Sequence, residues 1–244
     1  MDVRYCFQRY EKKYMLDPGQ METLLSGMEG RIRPDAFGRY TVCNIYYDTQ
    51  DLRLIRTSLK RPVYKEKLRM RSYGVPGDRD QVFVELKKKY DGIVYKRRTA
   101  MAAADAVSYI HDGAVPEHED QICREIGWSL HSYRLGPKVF IAYDRTAFTG
   151  RTDPELRITF DAGLRWRDTA LDLRAGDSGA PLLPPERILM EIKLPGAAPV
   201  WLARLLSENG IFPASFSKYG TCYREHLMHQ IPLMQDGEGG LGFA

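Results

Sequence analysis

Residues 64–74 read YKEKLRMRSYG. A β-strand sends successive side chains to opposite faces, so at that period Lys65, Lys67, Arg69 and Arg71 share one face of a strand. Tyr64, Glu66, Leu68, Met70 and Ser72 share the other. Four cations in succession on one face repel each other and need something negative opposite them.

The next segment carries the same pattern. KKKYDGIVYKRR, residues 87–98, places Asp91-Gly92 between two strand-like runs, the strongest short-range signal for a two-residue hairpin. That turn sets Lys87 opposite Lys96 and Glu85 opposite Arg98. Like charges directly opposed across a sheet are destabilising, and Glu85 offsets only part of the charge. On the reverse face Val82, Val84 and Leu86 form an apolar side.

Further strands repeat the division. Arg9, Glu11 and Lys13 are in phase in RYCFQRYEKKYML, as are Tyr143 and Arg145 in VFIAYDRTAF. Arg157 and Asp161 share a face, as do Glu191 and Lys193. The strands expected are 4–16, 41–47, 63–73, 81–90, 93–101, 139–148, 156–161 and 188–194. Helices are expected at 104–112, 119–132, 199–209 and 219–230, and from Asp17, a cap followed by Pro18 at the first helical position. The run 175–186 is a Pro/Gly-rich loop. The class is therefore α+β: a closed antiparallel β-barrel, or tunnel, of about eight strands, flanked by helices and ending in a C-terminal helix. Residues 1–232 form one such domain, with a flexible tail at 233–244.

Charge narrows the partners. The formal net charge is +4, yet residues 53–98 hold fifteen Lys/Arg against five Asp/Glu. If the strands close, their cationic faces line one lumen, and a lumen of ammonium and guanidinium groups is self-repelling unless a polyanion threads it. Phosphates are the partner that fits. Nucleic acid is not expected, because the mixed acid and base phase of the strands suits it poorly, although Tyr64, Tyr73, Tyr90 and Tyr95 lie among the cations. No apolar run approaches a membrane span and the N-terminus has no signal-peptide core, so a cytoplasmic chain without direct membrane insertion is expected. Cys6, Cys43, Cys123 and Cys222 form no CxxC pair, and His226 and His229 read as surface residues.

The ordered motifs ExK, KxRxR, ExK…DG…K, YxRxAF, LRI, ExKL and SKY, spread over roughly residues 4–230, resemble the VTC domain, the polyphosphate polymerase domain of the vacuolar transporter chaperone family and a relative of the triphosphate tunnel (CYTH-like) enzymes. The resemblance implies catalytic roles for Lys13, Arg69, Arg71, Arg145, Arg157 and Glu191, with Glu191 also the metal ligand. It implies phosphate-binding roles for Lys87, Lys96, Tyr143, Lys193, Ser217 and Lys218. Ser217 also reads as a helix cap. The implied cofactor is Mn²⁺ or Mg²⁺, and the implied partners are ATP and polyphosphate, or triphosphate or pyrophosphate. Two departures stand out: Arg9 replaces the first acid of the ExExK motif, and Leu189 stands where a second carboxylate is found, so one firmly held ion is expected rather than two. The membrane helices and SPX domain of eukaryotic relatives are missing from the chain, which leaves coupled translocation unsupported.

Chemistry favours synthesis over hydrolysis. Water needs a carboxylate base or a metal-bound hydroxide. A terminal phosphate is already ionised near pH 7 and needs charge cancellation and alignment instead. The expected activity is transfer of the γ-phosphate of ATP onto a growing polyphosphate chain. A triphosphatase or tripolyphosphatase on the same tunnel, or a non-catalytic polyphosphate-binding module, are the alternatives.

Overall fold

The computed structural model describes residues 10–91, 93–116 and 119–230. The expected strand start at 4–9, with Arg9 and Cys6, and the tail at 233–244 lie outside the described residues. The elements in order are β1 (Tyr10–Leu16), α1 (Pro18–Gly27), β2 (Ile32–Asp48), α2 (Arg53–Leu59), β3 (Tyr64–Tyr73), β4 (Gln81–Tyr90), β5 (Ile93–Ala102), α3 (Ala103–His111), α4 (Gln121–Tyr133), β6 (Gly136–Gly150), β7 (Arg157–Arg167), β8 (Ala180–Pro181), β9 (Ile188–Leu194), α5 (Val200–Glu208) and α6 (Lys218–Cys222). A π-helical turn (Tyr223–Leu227) and a 3-10 turn (Met228–Gln230) follow α6, where one continuous helix was expected. None of the described helices is long and apolar enough to cross a membrane.

The strands form one antiparallel sheet in the order β1-β9-β7-β6-β2-β3-β4-β5, with β8 added beside β7. Lys87 faces Lys96 and Glu85 faces Arg98, as the hairpin arithmetic required. Of the expected closed barrel the structure shows the curled antiparallel sheet but not the closure: β1 and β5 are not paired with each other among the described residues. A loop lies along this seam instead. Ala214 donates its N–H to the Lys13 carbonyl at 2.7 Å, and Lys13 Nζ donates to the Phe216 carbonyl at 3.0 Å.

Alternation builds two cores on the convex face. Leu68, Met70, Val84 and Leu86 pack with Ala106, Tyr109 and Ile126 beneath α3 and α4. Ile158, Phe160, Met190 and Ile192 pack with Leu24, Leu202 and Leu206 beneath α1 and α5. On the concave face Val42, Tyr46, Ile141 and Tyr143 meet Ile55 of α2 and Tyr219 and Cys222 of α6. That third cluster fills part of the interior and leaves the rest to charge.

Two elements differ from the sequence expectation for local reasons. The β2 strand starts at Ile32 rather than near 41, its register with β6 shifting between Pro34 and Arg39; Pro34 and Gly38 make that stretch read as a loop. The α2 helix was not anticipated. Its N-cap, Leu52, sits at φ 57° with no side-chain cap. The capping work falls to Asp48, fully buried, which accepts from the N–H groups of Leu54 at 2.8 Å and Ile55 at 2.9 Å, and from Tyr219 Oη at 3.0 Å. Burial raises the Asp48 pKa against these bonds.

Asp48→Ala strands two buried donors and cuts the link to α6. We expect a loss of about 3 kcal/mol or more in urea unfolding. A variant within 1 kcal/mol of wild type would show that Asp48 does not anchor α2.

Candidate functional site

The cations from six elements converge on one cavity of about 160 Å³ on the concave face. Lys13 enters from β1, Arg69, Arg71 and Lys67 from β3, and Lys87 from β4. Tyr143 and Arg145 come from β6, Glu191 and Lys193 from β9, and Ser217 and Lys218 from the start of α6. The β3–β4 face continues outward to a basic depression of about 450 Å³ lined by Arg61, Lys65, Lys89 and Asp91.

Two expected residues stand apart from the cavity. Arg157 shares a row with Lys193 and so faces the same side, but its side chain is 49% exposed and lies 3.9 Å from Asp35. Lys96 is drawn away to Glu85 at 2.7 Å. The register placing Lys96 opposite Lys87 holds, and Lys96 takes Glu85 as its partner.

Carboxylates are more numerous than the sequence reading allowed. Glu191 is joined by Glu11, Glu85 and Asp161. Glu85, buried, binds Arg69 Nε at 2.7 Å, Lys96 at 2.7 Å and Arg98 at 3.4 Å. Burial alone would raise its pKa; Arg69, Arg71 and Lys96 hold it far below the carboxylate range. Asp161, also buried, takes Arg145 through both oxygens at 2.6 and 2.7 Å and Lys218 at 2.6 Å. It stands opposite Leu189, so a carboxylate does lie beside the position where β9 lacks one. Burial pushes Asp161 up, and Lys218 and Arg145 bring it down.

Glu191 sits among four cations: Lys218 and Lys193 at 3.5 Å, Lys13 at 3.7 Å and Arg145 at 3.9 Å. Burial opposes its ionisation, but those charges hold its pKa well below the usual value. Glu11 lies 3.5 Å from Lys13 and 3.9 Å from Lys193, the lysines it shares with Glu191. Among the described residues no three His, Cys, Asp or Glu side chains are grouped to hold a metal. One or two carboxylates with phosphate oxygens completing the shell is, however, how Mg²⁺ is commonly bound. The donor set therefore fits an ion that arrives with its phosphates.

The arginines are anchored along one edge. Arg71 donates from Nε to Asn44 at 2.8 Å and from Nη2 to Tyr143 Oη at 3.2 Å. Arg69 uses Nε and Nη2 on Glu85, and Arg145 the same pair on Asp161. Tyr143 is a buried part of this frame: despite burial, Arg71, Arg145 and Lys218 lower its pKa. Ser217 is a cap, as expected, accepting from the Gly220 N–H at 3.2 Å. Lys67, Glu11, Glu85 and Asp161 were in phase with their neighbours in the sequence, the first three within the motifs themselves, but were given no site role.

With this geometry in hand the family can be stated. The VTC domain matches residues 8–226, and the chain belongs to that family. Vacuolar transporter chaperone complex subunit 4 of Trypanosoma brucei brucei is 28% identical over an alignment covering 51% of this chain. The alignment takes in 19% of that relative, so the chain spans about a fifth of its length. Among solved structures, a putative adenylate cyclase from Bacillus halodurans superposes with a TM-score of 0.52 at 13% identity, covering 85% of this chain and 92% of that one. A putative adenylyl cyclase from Hippeastrum gives 0.51 at 14% identity, covering 88% and 94%. At those identities the likeness shows a shared fold.

Glu85→Gln leaves Arg69, Lys96 and Arg98 around a neutral amide. Removing one partner of a buried ion cluster costs about 3 kcal/mol or more, and sulfate or tripolyphosphate should recover part of it by mass action. Lys87→Met relieves repulsion and should leave the ligand-free melting temperature unchanged or higher, while shrinking the anion-induced shift. A large ligand-free loss in Lys87→Met would contradict the repulsion.

Proposed function

We propose that the chain is a polyphosphate polymerase that transfers the γ-phosphate of ATP onto the end of a polyphosphate chain held in the concave cavity. The observation that carries this reading is how its four carboxylates are engaged: Glu85 and Asp161 are bonded to arginines and lysines, and Glu11 and Glu191 lie between Lys13 and Lys193. Glu11, Glu85, Asp161 and Glu191 all have lowered pKa values, each opposed by burial and brought down by adjacent cations. A general base for water works best with a pKa near the operating pH, and these groups are tuned away from it. A terminal phosphate needs no base. Its oxygen bonds to Pγ, the bond from Pγ to the bridging oxygen breaks, and ADP departs with that electron pair.

What the protein supplies is alignment and charge cancellation between two anions. Arg69, Arg71 and Arg145, already fixed along one edge, offer their remaining donors to the transferring group with little ordering cost. Lys13, Lys87, Lys193 and Lys218 hold the flanking phosphates. Arg157, exposed at the rim on the same face, meets the chain outside the cavity, and Lys96 acts there through Glu85. Mn²⁺ or Mg²⁺, held by Glu191 with Glu11 beside it, would neutralise phosphate oxygens. ATP, polyphosphate and the metal are the partners this reading requires.

A second reading has two observations in its favour. The cavity holds more carboxylates than a polymerase requires, and the Hippeastrum protein of the same fold is described as having a dominant triphosphatase activity. Incubation with ATP and Mn²⁺, with products resolved by length, separates the two: a ladder of lengthening chains supports the polymerase, and phosphate release without growth supports the hydrolase.

Glu191→Gln keeps the shape and removes the charge. Elongation should fall on the order of 100-fold, while polyphosphate affinity holds or rises as one repelling carboxylate is lost. A folded variant with near-normal elongation would rule out the metal role and leave Glu191 as a salt-bridge partner.

A further inference from the structure

Across three strands, Lys67, Lys87 and Lys96 stand directly opposite one another in a single row. Nothing in the backbone separates them, yet each is treated differently. Lys96 swings to Glu85 at 2.7 Å. Lys87 feels the opposing charge of Glu11. Lys67 has neither: its Nζ donates to Ser217 Oγ at 3.1 Å, and no carboxylate lies within 4.0 Å of it among the described residues. The charges facing it are Lys13 from β1, Lys65 and Arg69 from its own strand, and Lys87 from β4. From the α6 side it meets only the Ser217 hydroxyl. Glu11 and Glu191, the other acids of that wall, are engaged with Lys13 and Lys193.

We propose that Lys67 is a phosphate-binding residue of the cavity that takes up a proton as the polyanion enters, so that chain binding and proton uptake are coupled at this one side chain. The inference rests on the cavity's being a polyphosphate site. An ammonium bonded to a hydroxyl, with like charges acting on it, has no protein counter-charge within 4.0 Å among the described residues. Burial, then Lys13, Lys87, Lys65 and Arg69, bring its pKa down to about 7. Phosphate oxygens beside it supply the missing counter-charge and favour the protonated form. The sign follows from linkage. Above about pH 7 the empty protein binds fewer protons than the complex, so affinity falls as pH rises, by at most about tenfold per unit for one coupled proton. The same depression destabilises the empty fold below the ordinary lysine range. Removing the lysine should therefore stabilise the empty protein most at the acid end.

The test is calorimetric titration of tripolyphosphate into wild type, Lys67→Met and Lys67→Arg, near pH 8, in two buffers of different ionisation enthalpy. The ligand's own proton changes are common to all three proteins and cancel in the comparison. Wild type should take up more protons than either variant, by as much as one. Lys67→Arg, charged throughout, should retain affinity with a flatter pH profile, and Lys67→Met should bind more weakly with the same flattening. Equal proton uptake in wild type and whichever variants fold, with binding retained, overturns the inference while leaving the proposed function standing. Failure of wild type to bind tripolyphosphate at any pH overturns the proposed function and this inference with it.

Discussion

Like charges turned inward by a curled sheet set the terms for everything else in this protein. Moving them outward would require a one-residue slip in register, which would carry every apolar side chain of those strands off the convex cores. The fold therefore keeps the cations and interleaves acids among them. In the row Arg69–Glu85–Arg98 the acid takes the central strand. In the row Glu11–Lys193–Arg157 acid and base again neighbour each other. The lysine row on β3, β4 and β5 has no acid in its own line.

That arrangement separates two jobs. Glu85 and Asp161 are buried and spend their oxygens on arginines and lysines, so they fix geometry. Glu191 and Glu11 share looser contacts, at 3.5 to 3.9 Å, with the same two lysines, and under the proposed function theirs are the oxygens left for a metal. Fold alone would not distinguish these roles, since one fold hosts several chemistries, and the likeness to two proteins described as cyclases at 13% and 14% identity illustrates the point.

Period-two alternation made the convex cores and the lumen face legible: Val82, Val84 and Leu86 inside one core and Lys87 opposite Lys96 follow from the sequence alone. Position along the strand was harder. Arg157 has the right phase but sits at the rim, because phase reports a face and not a depth. Lys96 was misjudged because a side chain of its length reaches a diagonal neighbour, here Glu85, as easily as the space ahead of it. Asp161 was visible in phase with Arg157, but its two-oxygen grip on Arg145 depends on the register between β6 and β7, which the connection 151–156 does not announce as a two-residue Asp-Gly turn does. The α2 helix escaped notice because its cap comes from Asp48, four residues before the N-cap position, where no local motif would look for it.

The seam between β1 and β5 bears on the size of the lumen. In a closed barrel, strand number and stagger together fix the circumference, and changing it means breaking a ladder. Here, among the described residues, Ala214 and Phe216 are bonded to Lys13 of β1, and Ser217 is bonded to Lys67 of β3. A few loop and side-chain bonds cost less to part than a continuous strand ladder, so among the described residues this seam is the cheapest place for the wall to give.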